Sequence, residues 1–150
     1  HDPIKPQIEE VIYRCVKIKR DVVDEDERDT GIRQILNFGH TIGHAVEKLS
    51  NFGISHGKAV AIGSAVISRA AARFLYCSSE YSEKIVSLLN QYGLPVNTSY
   101  AVEEVFEATV SDKKRNGDSI NLILPVEKGR CIIEKTPFER LREIIKAGTE

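Results

Sequence analysis

Methionine and tryptophan are absent from this chain of 150 residues, and cysteine is scarce. Because the chain starts at His1 and contains no methionine, we expect it to be a domain taken from a longer protein. The three cysteines, Cys15, Cys77 and Cys131, are odd in number and far apart. They argue against a disulfide framework and predict reduced thiols in a cytoplasmic protein.

Long apolar runs and an excess of one charge are also missing. No run reaches the roughly 18 residues of a membrane-spanning helix, and no N-terminal segment resembles a signal peptide. Lys and Arg number 21 against 22 Asp and Glu, whereas a nucleic-acid-binding domain usually carries a basic face. We therefore expect no membrane and no nucleic acid among the partners, and a chain long enough to bury one core.

Apolar residues recur at helical spacing through most of the chain. The spacing predicts helices over about 7–23, from 37 or 39 to 49, and over 56–76, 79–92 and 102–110. The runs 120–124 and 130–134 predict a β-hairpin, and Thr-Pro-Phe-Glu at 136–139 is typical of a capping box that opens a last helix. The sequence therefore predicts a mainly α fold, a helical bundle with one small β-hairpin, with the apolar segment 56–76 at its centre.

Three of the four histidines, His40, His44 and His56, lie close together in the sequence. His40 and His44 share one face of a predicted helix, and Glu47 lies on the same face. Two imidazoles at this spacing can bind one zinc ion, although Thr41 replaces the glutamate of the protease motif. His56 begins the next helix and can return to the same point. From these residues alone, a zinc site and a set of hydrogen-bonded structural histidines are both open.

Cations and an amide near this stretch indicate a second function, anion binding. Arg33 and Asn37 lie seven and three residues before the first of these histidines, so they can present a guanidinium and an amide to a phosphate or carboxylate. Lys19, Lys113 and Lys114 are further cations. Taken singly, each lysine is typical of a solvated surface charge.

Several separate segments carry a resemblance to a known family. They are the connector at 26–31, R-x-x-x-N-F-G-H-x-x-G-H-A-V-E at 33–47, H-G at 56–57, L-P at 94–95, and the D-K-K loop with its hairpin at 112–125. In order and spacing they closely resemble the C-terminal domain of the 3-dehydroquinate synthase family. The resemblance covers essentially the whole chain.

This resemblance implies part of a metal- and NAD-dependent lyase of the shikimate pathway, which serves aromatic amino-acid biosynthesis. Such enzymes convert a phosphorylated sugar acid, 3-deoxy-D-arabino-heptulosonate 7-phosphate, to 3-dehydroquinate and phosphate. Zinc or cobalt would hold and polarise substrate hydroxyls. The full-length protein would be a homodimer.

The resemblance also implies that the full-length protein has two domains with different binding roles. Residues 1–150 would form the metal- and substrate-binding helical domain. The NAD-binding α/β domain, and a glutamate that is the third metal ligand in the family, would lie upstream of His1. We therefore expect the chain alone to bind metal weakly and to lack synthase activity.

Carried over residue by residue, the resemblance implies that His40 and His56 are metal ligands. It implies that His44 and Asn37 contact the substrate phosphate. The chain departs from the family near His56, since position 58 is Lys where the family commonly has Glu. The exchange alters the charge next to His56.

The remaining positions match residues that bind the two ends of the substrate. Arg33 and Lys19 match contacts to the carboxylate end. Lys113, with Lys114 as the alternative, would reach the phosphate, and Asp29 falls where the family often has a glutamate near the active site.

Two other functions stay open from the sequence. Related sugar-phosphate cyclases such as 2-deoxy-scyllo-inosose synthase share much of the pattern. Iron-dependent alcohol dehydrogenases share the helical domain and a similar histidine arrangement, but Arg33, Asn37 and the D-K-K loop argue against them. The other alternative is a non-catalytic helical module that binds metal or phosphate.

Overall fold

The computed structural model of the chain describes residues 4–27, 31–111 and 117–150. The chain divides into two compact units, His1–Leu36 and Asn37–Glu150. Within the described ranges, no helix combines the length and the apolar character that crossing a membrane requires.

The first unit is built on one amphipathic helix. A 3-10 turn, Lys5–Gln7, leads into helix α1, Ile8–Glu25, which confirms the helix predicted over 7–23. The Asp26 side chain follows it and accepts hydrogen bonds from the backbone N–H groups of Gly31, at 2.7 Å, and Arg33, at 3.1 Å. These bonds fix the chain where it enters a 3-10 helix, Ile32–Asn37.

The second unit is a helical bundle with a hairpin. Its elements within the described residues are α2 (His40–Leu49), α3 (His56–Arg73), α4 (Ser79–Gln91), α5 (Val102–Val110), β1 (Ser119–Glu127), β2 (Arg130–Pro137) and α6 (Phe138–Thr149). Helix α3 packs against α2, α4, α6 and β1, and most of its residues are buried. Its central place and the mainly α fold are as the sequence predicts.

The hairpin is antiparallel and longer than the sequence predicts. Ile123 pairs with Ile133, and the register shifts at a bulge between Pro125 and Glu127. Ile123 of β1 is buried, and three further side chains of this strand belong to the core of the second unit. They are Ile120, Leu122 and Leu124.

The predicted capping box at 136–139 is wrong. Thr136 belongs to β2, and its hydroxyl donates to the carbonyl oxygen of Glu134 at 3.1 Å. Pro137 takes the N-cap position of α6, where no side-chain capping bond forms. The strand extends up to the helix, so the threonine side chain satisfies its own strand instead of the helix start.

Helix α4 carries a side-chain cap at its N-terminus, and we expect its removal to destabilise the protein. Ser78 Oγ accepts a hydrogen bond from the backbone N–H of Tyr81 at 3.1 Å. Replacing an N-cap serine by alanine costs about 1 kcal/mol, so Ser78→Ala should lower the urea midpoint. Ser87→Ala, at an exposed position inside the same helix, is the matched control and should leave the midpoint unchanged or slightly raised. Equal midpoints for both variants would contradict the cap.

Tyr76, three residues after the end of α3, has a pKa that is shifted by residues of β2 and α6. A hydrogen bond to the carboxylate of Glu134 raises the pKa of Tyr76, burial raises it further, and a hydrogen bond from Arg140 works in the opposite direction. The Arg140 guanidinium also lies 3.8 Å from the centre of the Phe74 ring. The Arg140 contact links the last helix to Phe74, the residue that follows α3.

This pKa shift predicts a loss of stability at alkaline pH. Because the folded-state pKa of Tyr76 exceeds its ordinary value of 10.0, the contribution is complete below that value and is lost as the pH rises through the folded pKa. Tyr76→Phe should therefore reduce the fall in Tm between neutral and strongly alkaline pH. Burial also raises the pKa of Cys77 and Tyr81, so part of the fall should persist. An identical fall in both proteins would contradict this role for Tyr76.

Candidate metal centre

The start of α2 places the first two histidines. Gly39 precedes the helix with φ of 77°, in the left-handed region that favours glycine. A side chain there would also meet Ser64 of α3, whose backbone nitrogen would lie 2.7 Å from the added Cβ. His40 is therefore the first residue of α2, and His44 follows one turn later on the same face.

The loop after α2 brings the third histidine to that face. Asn51 and Phe52 both have positive φ, and the loop ends where α3 begins at His56. The centres of the His40 and His56 rings lie 5.2 Å apart, and those of His44 and His56 lie 5.8 Å apart. His40 and His44 are separated by 5.5 Å, so three imidazoles from two helices form one cluster.

Two of these rings are each held by a contact at their own Nδ1 atom. Nδ1 of His40 lies 3.1 Å from the carbonyl oxygen of Phe38, and Nδ1 of His56 lies 3.1 Å from Oε2 of Glu47. A carbonyl oxygen and a carboxylate accept hydrogen bonds, so both contacts favour the tautomer with the proton on Nδ1. Each Nε2 then keeps the lone pair that a metal ion needs.

The donor set fits a transition-metal ion. Ligand atoms of His44, Glu47 and His56 lie within 4.8 Å of one another, and the His40 ring lies beside them. Imidazole nitrogen with carboxylate oxygen suits zinc and cobalt better than magnesium or calcium. His44 and His56 are exposed and Glu47 is half-buried, so an ion can reach the cluster from solvent.

The other residues singled out in the sequence lie in different parts of the chain. Asn37 ends the 3-10 helix and is exposed at the start of the second unit. Lys19 is exposed on α1 of the first unit. Arg33 belongs to that unit as well, and its Nη1 donates to the carbonyl oxygen of Glu27 at 2.9 Å.

Several predicted positions lie outside the described residues, namely Asp29, Lys113 and Lys114. Lys58 is described, and it is exposed in the first turn of α3, two residues after His56. The sequence gives no sign of the Phe38 carbonyl as a partner of His40, because every residue has a backbone carbonyl.

Comparison with known proteins agrees with the motifs. The family described as 3-dehydroquinate synthase C-terminal matches residues 2–115. The chain is 39% identical over 147 residues to a 3-dehydroquinate synthase of Streptococcus sanguinis, covering 97% of this chain and 41% of that protein. The same enzyme of Streptococcus thermophilus is 40% identical over 140 residues, or 92% of this chain and 39% of its own length. The chain thus spans about two fifths of the length of these relatives.

Solved structures share the fold. A 2-deoxy-scyllo-inosose synthase, complexed with carbaglucose-6-phosphate, NAD+ and Co2+, superposes with a TM-score of 0.78 at 26% identity, over 94% of this chain and 41% of that one. A 2-epi-5-epi-valiolone synthase from Streptomyces hygroscopicus, with NAD+ and Zn2+ bound, gives 0.79 at 19% identity, over 92% and 38%. The second likeness concerns the fold alone. With the family match over 2–115 and the histidine cluster on α2 and α3, the chain belongs to the 3-dehydroquinate synthase C-terminal family.

Proposed function

We propose that this chain is the metal- and substrate-binding domain of a 3-dehydroquinate synthase. The reaction is the conversion of 3-deoxy-D-arabino-heptulosonate 7-phosphate to 3-dehydroquinate with release of phosphate. The curated relatives carry this name, and they are longer than this chain. The activity therefore belongs to a protein of their full length, in which this domain is one part.

The convergence of three imidazoles carries the proposal. Purely structural histidines need no common point, yet these rings lie within 5.8 Å of one another and two of them have Nδ1 occupied by an acceptor. Histidine ligands of metal ions are usually held in this way through the nitrogen that does not bind the metal. The pattern favours His40 and His56 as the ligands.

Zinc or cobalt is the ion that this donor set fits. Bound there, the ion would supply Lewis-acid polarisation of substrate hydroxyls. His40 and His56 would hold it through Nε2, since Nδ1 is engaged in each. The described residues include no parallel sheet and so form no dinucleotide crevice of the usual kind. We therefore assign no NAD-binding residue to this chain and propose that NAD binds in the part of the relatives that it does not span.

The substrate phosphate would bind beside the metal ligands. His44 is exposed on the same face of α2, and a protonated imidazole or an N–H there donates to a phosphate oxygen. Asn37 would supply an amide N–H, and Lys113 a further charge. Arg33 and Lys19 would hold the carboxylate end, which a guanidinium can bind in a bidentate manner.

A turnover assay decides between this function and its rivals. The protein, at the length of its relatives, is supplied with NAD, Zn2+ and the heptulosonate 7-phosphate, and phosphate release is measured. Release supports the proposal. Turnover of glucose 6-phosphate alone would instead favour a cyclase like the 2-deoxy-scyllo-inosose synthase to which the fold is similar. No turnover of either compound would favour a non-catalytic binding module.

His44→Ala separates phosphate binding from metal binding. If His44 contacts phosphate, the substitution should raise KM for the heptulosonate phosphate by about tenfold or more, since a charged hydrogen bond contributes about 1.5–3 kcal/mol. Zinc affinity, measured by calorimetry, should change only a few-fold. His44→Asn keeps an N–H donor and should recover part of the loss. A fall in zinc affinity as large as that of His56→Ala would make His44 a metal ligand instead.

A further inference from the structure

Glu47 is a carboxylate that is largely withdrawn from solvent. Its side chain is 13% exposed, whereas the ion-paired Glu10 and Glu80 are 54% and 77% exposed. Withdrawing a carboxylate from water is costly unless a partner binds it. Nδ1 of His56, at 3.1 Å, is such a partner, and the bond links α2 to the first residue of α3.

We propose that Glu47 is a positioning residue, which fixes the tautomer and orientation of His56 for metal binding. The inference rests on the proposed function in one respect, the role of His56 as a ligand. By accepting the Nδ1 proton, the carboxylate leaves the lone pair on Nε2, and a ligand's basicity rises when its other nitrogen donates to an anion. Glu47 thereby does for His56 what the Phe38 carbonyl does for His40.

The competing role for Glu47 is direct ligation. Its carboxylate lies within 4.8 Å of ligand atoms of His44 and His56, so distance alone permits it. The contact between Oε2 and Nδ1 of His56, at 3.1 Å, favours positioning, because it already engages one oxygen of the carboxylate. The substitution Glu47→Gln distinguishes the two roles. A glutamine oxygen accepts a hydrogen bond from Nδ1 but is a poor ligand for zinc.

The first test uses the chain without metal. Long-range 1H–15N NMR spectra of the neutral imidazoles report which nitrogen of His56 carries the proton. We expect the Nδ1–H form in the wild type and in Glu47→Gln, and a mixture dominated by the other tautomer in Glu47→Ala. Glu80→Ala removes an exposed carboxylate from α4 and serves as the control, with no change at His56. An unchanged His56 tautomer in Glu47→Ala would overturn the proposal.

The second test makes the same substitutions in the protein at the length of its relatives and measures Zn2+ and Co2+ binding by calorimetry. Glu47→Ala should weaken binding by about 10- to 100-fold, the usual effect of removing an outer partner of a ligand. Glu47→Gln should stay within about tenfold of the wild type. If Glu47→Ala and Glu47→Gln both lost metal binding completely, Glu47 would be a ligand and the positioning role would be overturned. If the wild type at that length binds neither ion, the proposed function fails, while the tautomer measurement on this chain still decides the role of Glu47.

Discussion

Gly63→Ala is expected to destabilise the second unit and to weaken metal binding at the same time. A Cβ at Gly63 would overlap the carbonyl oxygen of Gly39 and lie 2.8 Å from the backbone nitrogen of Gly43. That oxygen and that nitrogen form the first backbone hydrogen bond of α2, at 2.9 Å. All the atoms met are backbone, so relief requires the two helices to move apart. Overpacking of this kind costs about 1–3 kcal/mol, occasionally more.

The loss of stability and the loss of binding have one cause. His40 and His44 lie on α2 and His56 lies on α3, so the imidazole cluster depends on the separation of the two helices. A displacement near 1 Å can cost a functional site about 100-fold, and we expect zinc affinity to fall by at least about tenfold. Urea unfolding and calorimetry on the same preparation measure both effects.

Gly57→Ala is the matched control, since it makes the same change in the same helix. A Cβ at Gly57 would meet nothing within 4 Å. The substitution restricts the unfolded chain without a clash, and should raise stability by about 0.4–1 kcal/mol. If Gly63→Ala behaved like Gly57→Ala, the close approach of α2 and α3 would not be a constraint on the fold.

The helices were predictable because their apolar periodicity agrees with their packing. Helix α5, Val102–Val110, has the bounds that its valines and Phe106 predict, and α3 is buried nearly all round, as its composition predicts. The capping box failed for a different reason. A Thr-x-x-Glu pattern describes local chemistry, but whether Thr136 belongs to the helix or to β2 is decided by pairing with Ser119–Glu127, which is not local.

The residues that form the candidate site could be predicted from the sequence better than their arrangement could. The spacing of His40 and His44 on a helix places them together, and Glu47 follows on the same face. The bond from His56 to Glu47 depends on the path of the loop between α2 and α3, where two residues other than glycine adopt positive φ. Such backbone conformations are not evident from residue type, because Phe52 is not a residue that favours them. The roles of the individual histidines stay predictions.

Loss of the proposed metal ligands, His40 and His56, is expected to have the largest effect on metal binding. His40→Ala and His56→Ala should each lower the affinity for Zn2+ by more than about 100-fold, beyond the range seen when an outer partner is removed. Each substitution takes away a donor atom, whereas Glu47→Ala leaves both imidazoles in place. The metal-free chain should also lose stability in His56→Ala, because the substitution leaves the Glu47 carboxylate, 13% exposed, without its bond to Nδ1. Calorimetry gives the affinity, and urea unfolding without metal gives the stability.

Ser55→Ala provides the control for His56→Ala. Ser55 immediately precedes His56, is exposed, and forms no side-chain capping bond with α3, so its replacement changes the same turn without removing a donor. Zinc affinity in Ser55→Ala should match the wild type. If His40→Ala retained wild-type affinity while His44→Ala lost it, the ion would be bound by His44, Glu47 and His56, the set whose ligand atoms lie within 4.8 Å of one another. The carboxylate would then be a ligand, and phosphate would need a contact other than His44.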